Sequence, residues 1–109
     1  MKFDYESLTM RALQIITFSG MAKSDAMEAI QDAKEKKFEE AELKFKSADK
    51  NLIEAEKQHA DLIQYEAQEK QAIGTPLILM HAEDQMLTTQ TLILMAQEIV
   101  ELYKKVDKK

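Results

Sequence analysis

Residues 74–106 read GTPLILMHAEDQMLTTQTLILMAQEIVELYKKV, and the fold follows from this stretch. Gly74-Thr75-Pro76 is the strongest break in the chain. Thr75 has the side chain of an N-cap, and Pro76 suits the first helical position, where its missing N–H would be unpaired in any case. The spacing predicts a helix over 76–106. Between Gln85 and Gln97 that helix has no charged residue, in a chain that is 32% charged. Leu79, Ala82, Met86, Ile93, Ala96 and Val100 form one apolar stripe, and Leu92, Met95, Ile99, Leu102 and Val106 form a second. A helix apolar all round is buried all round. Two neighbours within one small subunit leave part of its circumference uncovered, which implies a homo-oligomer closed through this helix.

Upstream, Phe38, Ala41, Phe45, Ala48, Leu52, Ala55, His59 and Leu62 alternate spacings of three and four residues. This is the seam of a long helix packed at a shallow angle, predicted over about 37–70. A first helix, over about 5–33, places Leu8, Ala12, Ile15, Ile16 and Ser19 on one side and continues with Ala26, Met27 and Ile30. Gly20 interrupts it at a penalty of about 1 kcal/mol relative to alanine. It marks a kink or a close helix crossing, unless it is incidental. The boundary near Lys34-Glu35-Lys36-Lys37 has neither Gly nor Pro and is placed by the change of apolar phase alone. Three long helices with short connections give an all-α fold, an antiparallel three-helix bundle running up, down and up, with residues 1–109 as a single domain.

Composition agrees and narrows the function. Two glycines and one proline among 109 residues leave few turn signals. The absence of cysteine excludes disulfide scaffolds, cysteine zinc sites and thiol catalysis. The net charge is −5, and the lysines are scattered among glutamates, contrary to a nucleic-acid footprint. Charged residues punctuate the N-terminal region, so neither a signal peptide nor a membrane span is expected. These features predict a soluble, cytoplasmic chain whose partners are proteins.

His81, Asp84, Thr88 and Thr91 recur at i, i+3, i+7 and i+10 along the third helix, one polar stripe on an otherwise apolar element. Burying it without partners would cost several kcal/mol, so it is satisfied or functional. In a closed oligomer with the stripe on the axis, copies of Asp84 would converge and repel, a conflict that protonation or a bound cation relieves. His59, on the seam of the second helix, is expected to be packed or partly exposed. His81 stands in the second turn of the third helix, where a neutral imidazole suits nucleophilic transfer of a phosphoryl group near pH 7. Such transfer asks little of the protein beyond positioning and charge compensation. A Gly-rich phosphate loop and a second histidine at metal spacing are both missing, which disfavours a stand-alone hydrolase or metalloenzyme. The residues alone leave three readings: a phosphoryl carrier, a helical oligomerisation and interaction module without covalent chemistry, or a regulatory metal-binding bundle.

Leu79-Met80-His81-Ala82-Glu83-Asp84-Gln85-Met86-Leu87-Thr88-Thr89, followed by Ile99 to Lys105, resembles the signature of the lactose/cellobiose-specific enzyme IIA family of the bacterial sugar phosphotransferase system. Phe18-Ser19-Gly20-Met21-Ala22-Lys23-Ser24 is similar to that family's Gly-x-Ala-Arg-Ser element, and Phe38 to Glu42 with Glu54-Ala55 resemble its second helix. The resemblance implies a homotrimer. It implies that His81 accepts phosphate from the histidine-containing phosphocarrier HPr and donates it to a cysteine of enzyme IIB, with the sugar held by the membrane transporter, enzyme IIC. It further implies a divalent cation, Mg2+ by expectation, shared by Asp84 of three subunits. The uptake served would be that of a beta-linked disaccharide such as cellobiose or lactose. Three positions depart from the family pattern: Gln85 and Glu56 stand where histidine is common, and Lys23 where arginine is.

Overall fold

The computed structural model describes residues 4–69 and 76–108. Three helices fill them: α1 over Tyr5–Lys34, α2 over Phe38–Glu69 and α3 over Leu77–Asp107. Each matches its sequence expectation to within about a residue where the ends are described. Lys70, the expected end of helix two, and Thr75, the expected N-cap of helix three, lie outside the described residues. At 1.5 Å rise per residue, a helix of this length spans about 45 Å, and the bundle measures 58 × 20 × 19 Å.

Each helix end has a local cause. Asp4 caps α1, its Oδ1 accepting the Ser7 N–H at 2.8 Å. This bond holds the Asp4 carboxyl below the ordinary carboxylate range. The α1–α2 boundary, invisible as Gly or Pro, is a Schellman turn: Lys37 N–H donates to the Asp32 carbonyl at 2.8 Å and Lys36 N–H to that of Ala33 at 3.0 Å. Lys36 takes the left-handed position with φ of 64°. At the start of α3 the expectation for Pro76 needs correction. It is the N-cap, with φ −59° and ψ 145°, and not the first helical residue. Its extended ψ puts it outside the helix, while its carbonyl already accepts from Leu79 and Met80 N–H.

The core stripe of α1 runs Leu8, Ala12, Ile15, Ser19, Ala22, Ala26, Ala29 and Ala33, all buried. It keeps the 4-3 spacing throughout, so Met27, expected inside, is instead 46% exposed. Small side chains let α1 lie close to both other helices, whereas α2 and α3 meet each other least. Gly20 belongs to this close approach and not to a break, since α1 is continuous through it and a Cβ there would stand 3.4 Å from Gln85 Nε2. The seam of α2 is buried or half-buried from Phe38 to Leu62, as its spacing predicts.

Between α2 and α3, longer side chains bridge the gap. Lys104 Nζ donates to Glu42 at 2.8 Å, Gln90 Nε2 to Glu56 at 2.7 Å, and His59 Nε2 pairs with Glu83 Oε2 at 2.6 Å. The bonds from Lys104 to Glu42 and Glu101 hold its ammonium above the ordinary lysine range. Two apolar clusters divide the interior, one around Ile15, Leu62, Leu79 and Met86, the other around Phe45, Ile93 and Val100. Ser19 on α1 and Thr89 on α3 fall between the two along their helices, buried, with hydroxyls that bond no protein atom.

Candidate phosphoacceptor site

Of the two apolar stripes read on the third helix, the chain covers one. Leu79, Ala82, Met86, Ile93, Ala96 and Val100 are all buried. In the second, Leu92 packs against the core, while Met95, Leu102 and Val106 are 58–61% exposed. The polar stripe lies on the open side too: His81, Asp84, Thr88 and Thr91 are all exposed within one chain. Their burial therefore needs a further surface laid over α3.

His81 is the fifth residue of α3. Its flanks face opposite ways, Met80 half exposed and Ala82 fully buried, so the backbone is anchored while the imidazole projects outward. Among the described residues His81 has no hydrogen bond or ion pair. The ring nitrogens are consequently free to meet a partner, and proximity to the helix N-terminus favours added negative charge weakly. Asp84 stands on the same face, its backbone carbonyl accepting the Thr88 hydroxyl at 2.9 Å.

A metal is a separate matter. Among the described residues no group of three or more His, Asp or Glu side chains in one chain is placed to hold one. Asp84 is an exposed carboxylate, a hard oxygen donor suited to Mg2+ or Ca2+, but one carboxylate is a fraction of the six or more oxygens such ions take. The donor chemistry fits a cation only if further copies of Asp84 join it.

His59 is packed as expected, its side chain 18% exposed and bonded to Glu83. The partner was not legible: Glu83 stands two residues from His81, on the opposite side of α3, and only the antiparallel alignment of α2 and α3 brings it to His59. The departures from the family pattern have structural places as well. Glu56 accepts from Gln90, and Gln85 reaches Gly20 of α1. Gln85 thereby lines a groove of about 540 Å3 with Gly20, Met21, Asp25 and Asn51, while Lys23 is exposed. Asp25 Oδ2 in that groove accepts from Ser47 at 2.7 Å and Asn51 at 3.1 Å, a network that nothing in the spacing announced.

An exposed histidine early in the last of three helices thus stands beside an Asp one turn on. The family model for the phosphotransferase system lactose/cellobiose-specific IIA subunit matches residues 10–104. The chain belongs to this family. It is 39% identical over 101 residues to the lichenan-specific phosphotransferase enzyme IIA component of Bacillus subtilis (strain 168), covering 93% of this chain and 91% of that protein. With the lactose-specific EIIA component of Streptococcus mutans it shares 31% identity over 100 residues, covering 92% and 95%. The crystal structure of the cellobiose-specific enzyme IIA from Bacillus anthracis superposes with a TM-score of 0.89 at 33% identity, covering 99% of this chain and 96% of that one. This IIA chain is thus a phosphotransferase component with a carrier role in a sugar phosphotransferase system. The reading as a non-enzymatic interaction or regulatory metal-binding bundle is not favoured. No helix among the described residues is long and apolar enough to cross a membrane.

Proposed function

We propose that His81 is the phosphoacceptor, taking a phosphoryl group from phospho-HPr and passing it to the cysteine of enzyme IIB. The observation that carries this reading is the exposure of His81 on a backbone turn anchored by buried Leu79 and Ala82. In the first transfer, the lone pair of a neutral His81 nitrogen attacks phosphorus. The phosphorus–nitrogen bond of the donor phosphohistidine breaks, and its electron pair returns to the donor ring. In the second, the IIB thiolate attacks, a sulfur–phosphorus bond forms, and the electron pair of the breaking bond returns to His81. Neither step changes an oxidation state, and positioning supplies most of what the reaction needs.

The assembly we propose is a cytoplasmic homotrimer closed through α3, serving uptake of a beta-linked disaccharide such as cellobiose or lactose through enzyme IIC. Its support is the row Leu87, Leu94, Met95, Leu102 and Val106, each 54–64% exposed in one chain. Apolar residues this exposed, here interleaved with Thr91 and Glu98, are characteristic of an interaction surface. Asp84 from each subunit would hold the divalent cation, Mg2+ by expectation, which offsets the repulsion of converging carboxylates. Relatives named for lichenan, lactose and oligo-beta-mannoside accord with a beta-linked substrate class.

The test is incubation with phosphoenolpyruvate, enzyme I and HPr, followed by intact mass measurement. The expected result is an acid-labile gain of a single phosphoryl group, absent from His81→Ala and retained by His59→Ala. Labelling that persisted in His81→Ala would move the site elsewhere.

A further inference from the structure

The other histidine is tied to the turn that carries His81. His59 Nε2 lies 2.6 Å from Glu83 Oε2, with the two side chains 18% and 41% exposed. Residues two apart on a helix leave it on opposite sides. Glu83 therefore points in toward α2 while His81 points out. Among the described residues no other side-chain hydrogen bond joins the stretch 77–87 of α3 to another helix; the next is Gln90 to Glu56, about two turns past Glu83. The N-cap of α3 is Pro76, which provides no side-chain cap bond.

Leu79 and Ala82 anchor this stretch by burial, to which the His59–Glu83 bond adds a directional tie. Because His81 has no partner of its own among the described residues, the place of its imidazole follows from the rotation and depth of the α3 backbone. We infer that His59 is a positioning residue for phosphoryl transfer, acting through Glu83 to hold the first turns of α3 so that His81 meets the incoming phosphorus in line. The role rests on the reading of His81 as phosphoacceptor. It requires no change of protonation, because a neutral His59 with its proton on Nε2 and a cationic one both donate to the carboxylate.

The experiment compares wild type, His59→Ala, His59→Gln and Glu83→Ala. Rapid-quench phosphorylation by phospho-HPr at varied donor concentration separates kcat from KM, and ring 1H–15N spectra of the unphosphorylated proteins report the setting of His81. Displacements of about 1 Å can slow a reaction about 10²-fold, so loss of this tie, with the burial of Leu79 and Ala82 kept, is expected to lower kcat about tenfold in His59→Ala and Glu83→Ala. KM should stay near wild type, and the His81 ring resonances should shift. Gln at position 59 can donate to Glu83, so His59→Gln should recover kcat to within about twofold. Wild-type kcat and an unmoved His81 ring in His59→Ala would overturn the proposal, as would a His59→Gln variant as slow as His59→Ala. Should His59→Ala fail to fold, Glu83→Ala removes the same bond from its more exposed end and decides the matter alone. A wild-type protein that took no label would overturn the phosphoacceptor reading itself, a result distinct from slow labelling of the variants alone.

Discussion

Lys36 occupies a backbone position made for glycine. With φ at 64° it holds the left-handed residue of the turn between α1 and α2, where an L side chain costs roughly 1–2 kcal/mol. Its ammonium reaches Asp107 at 3.4 Å, but this contact is largely exposed and such pairs contribute little. Lys36→Gly is expected to stabilise the protein by about 1 kcal/mol, after the greater freedom of glycine in the unfolded chain is set against the relieved strain. A urea midpoint that failed to rise would show that the bridge to Asp107 outweighs that strain. Thr89 is the opposite case, a polar group in a place made for an apolar one. Its hydroxyl is buried and bonds no protein atom, and a desolvated unpaired hydroxyl costs about 1–3 kcal/mol. Thr89→Val keeps the shape and is expected to stabilise by about 1 kcal/mol. Equilibrium unfolding measures it directly, and a loss of stability would reveal a partner for the hydroxyl in solution. Neither position is marked in the sequence: a lysine in a charged run and a threonine in a polar stretch are both unremarkable until the backbone angle and the neighbours are known.

The helices themselves were legible because their cause is local. Alternating spacings of three and four residues specified the inner face of α2, and the same rhythm continues along α1 from Leu8 to Ala33 through Ala22, Ala26 and Ala29. Met27, expected inside together with Ala26, lies off that stripe and is exposed. The start of α1 depends on Asp4, whose carboxylate holds the Ser7 N–H. That bond lowers the carboxyl's folded pKa below its unfolded value. Its contribution is consequently complete above the unfolded pKa and is lost as pH falls through the folded one. Asp4→Ala should be less stable than wild type at neutral pH, and the gap should close in acid below the ordinary carboxylate range. Thermal unfolding of both proteins across that range checks the sign, and a gap that widened in acid would contradict it.

At the scale of the molecule, α3 has more apolar surface than α1 and α2 cover. Leu87, Leu94, Met95, Leu102 and Val106 remain exposed beside Asp84. A trimer closed on this face should be visible by sedimentation equilibrium at micromolar concentration, and a strict monomer would remove the proposed assembly. Replacing converging charges with apolar packing is often neutral or stabilising by about 1–4 kcal/mol, so Asp84→Leu is expected to keep or tighten the trimer. If that variant fell apart instead, a required cation bridge among the carboxylates would be the better account.

What the sequence determined by itself was whatever depends on neighbours along the chain: three helices, their inner faces, and one histidine in an apolar helix with an aspartate one turn on. Composition and spacing drew attention to His81, and the family motif supplied its expected role. The tertiary structure decided what depends on distance across the bundle. It showed that α1, with its alanine face, packs closely on both neighbours, and that α2 and α3 are joined through Glu42–Lys104, Glu56–Gln90 and His59–Glu83. Periodicity shows which way a side chain points relative to its own helix. It does not give the axial register between two helices, and that register is what brings His59 to Glu83 and so ties the second histidine to the turn of the first.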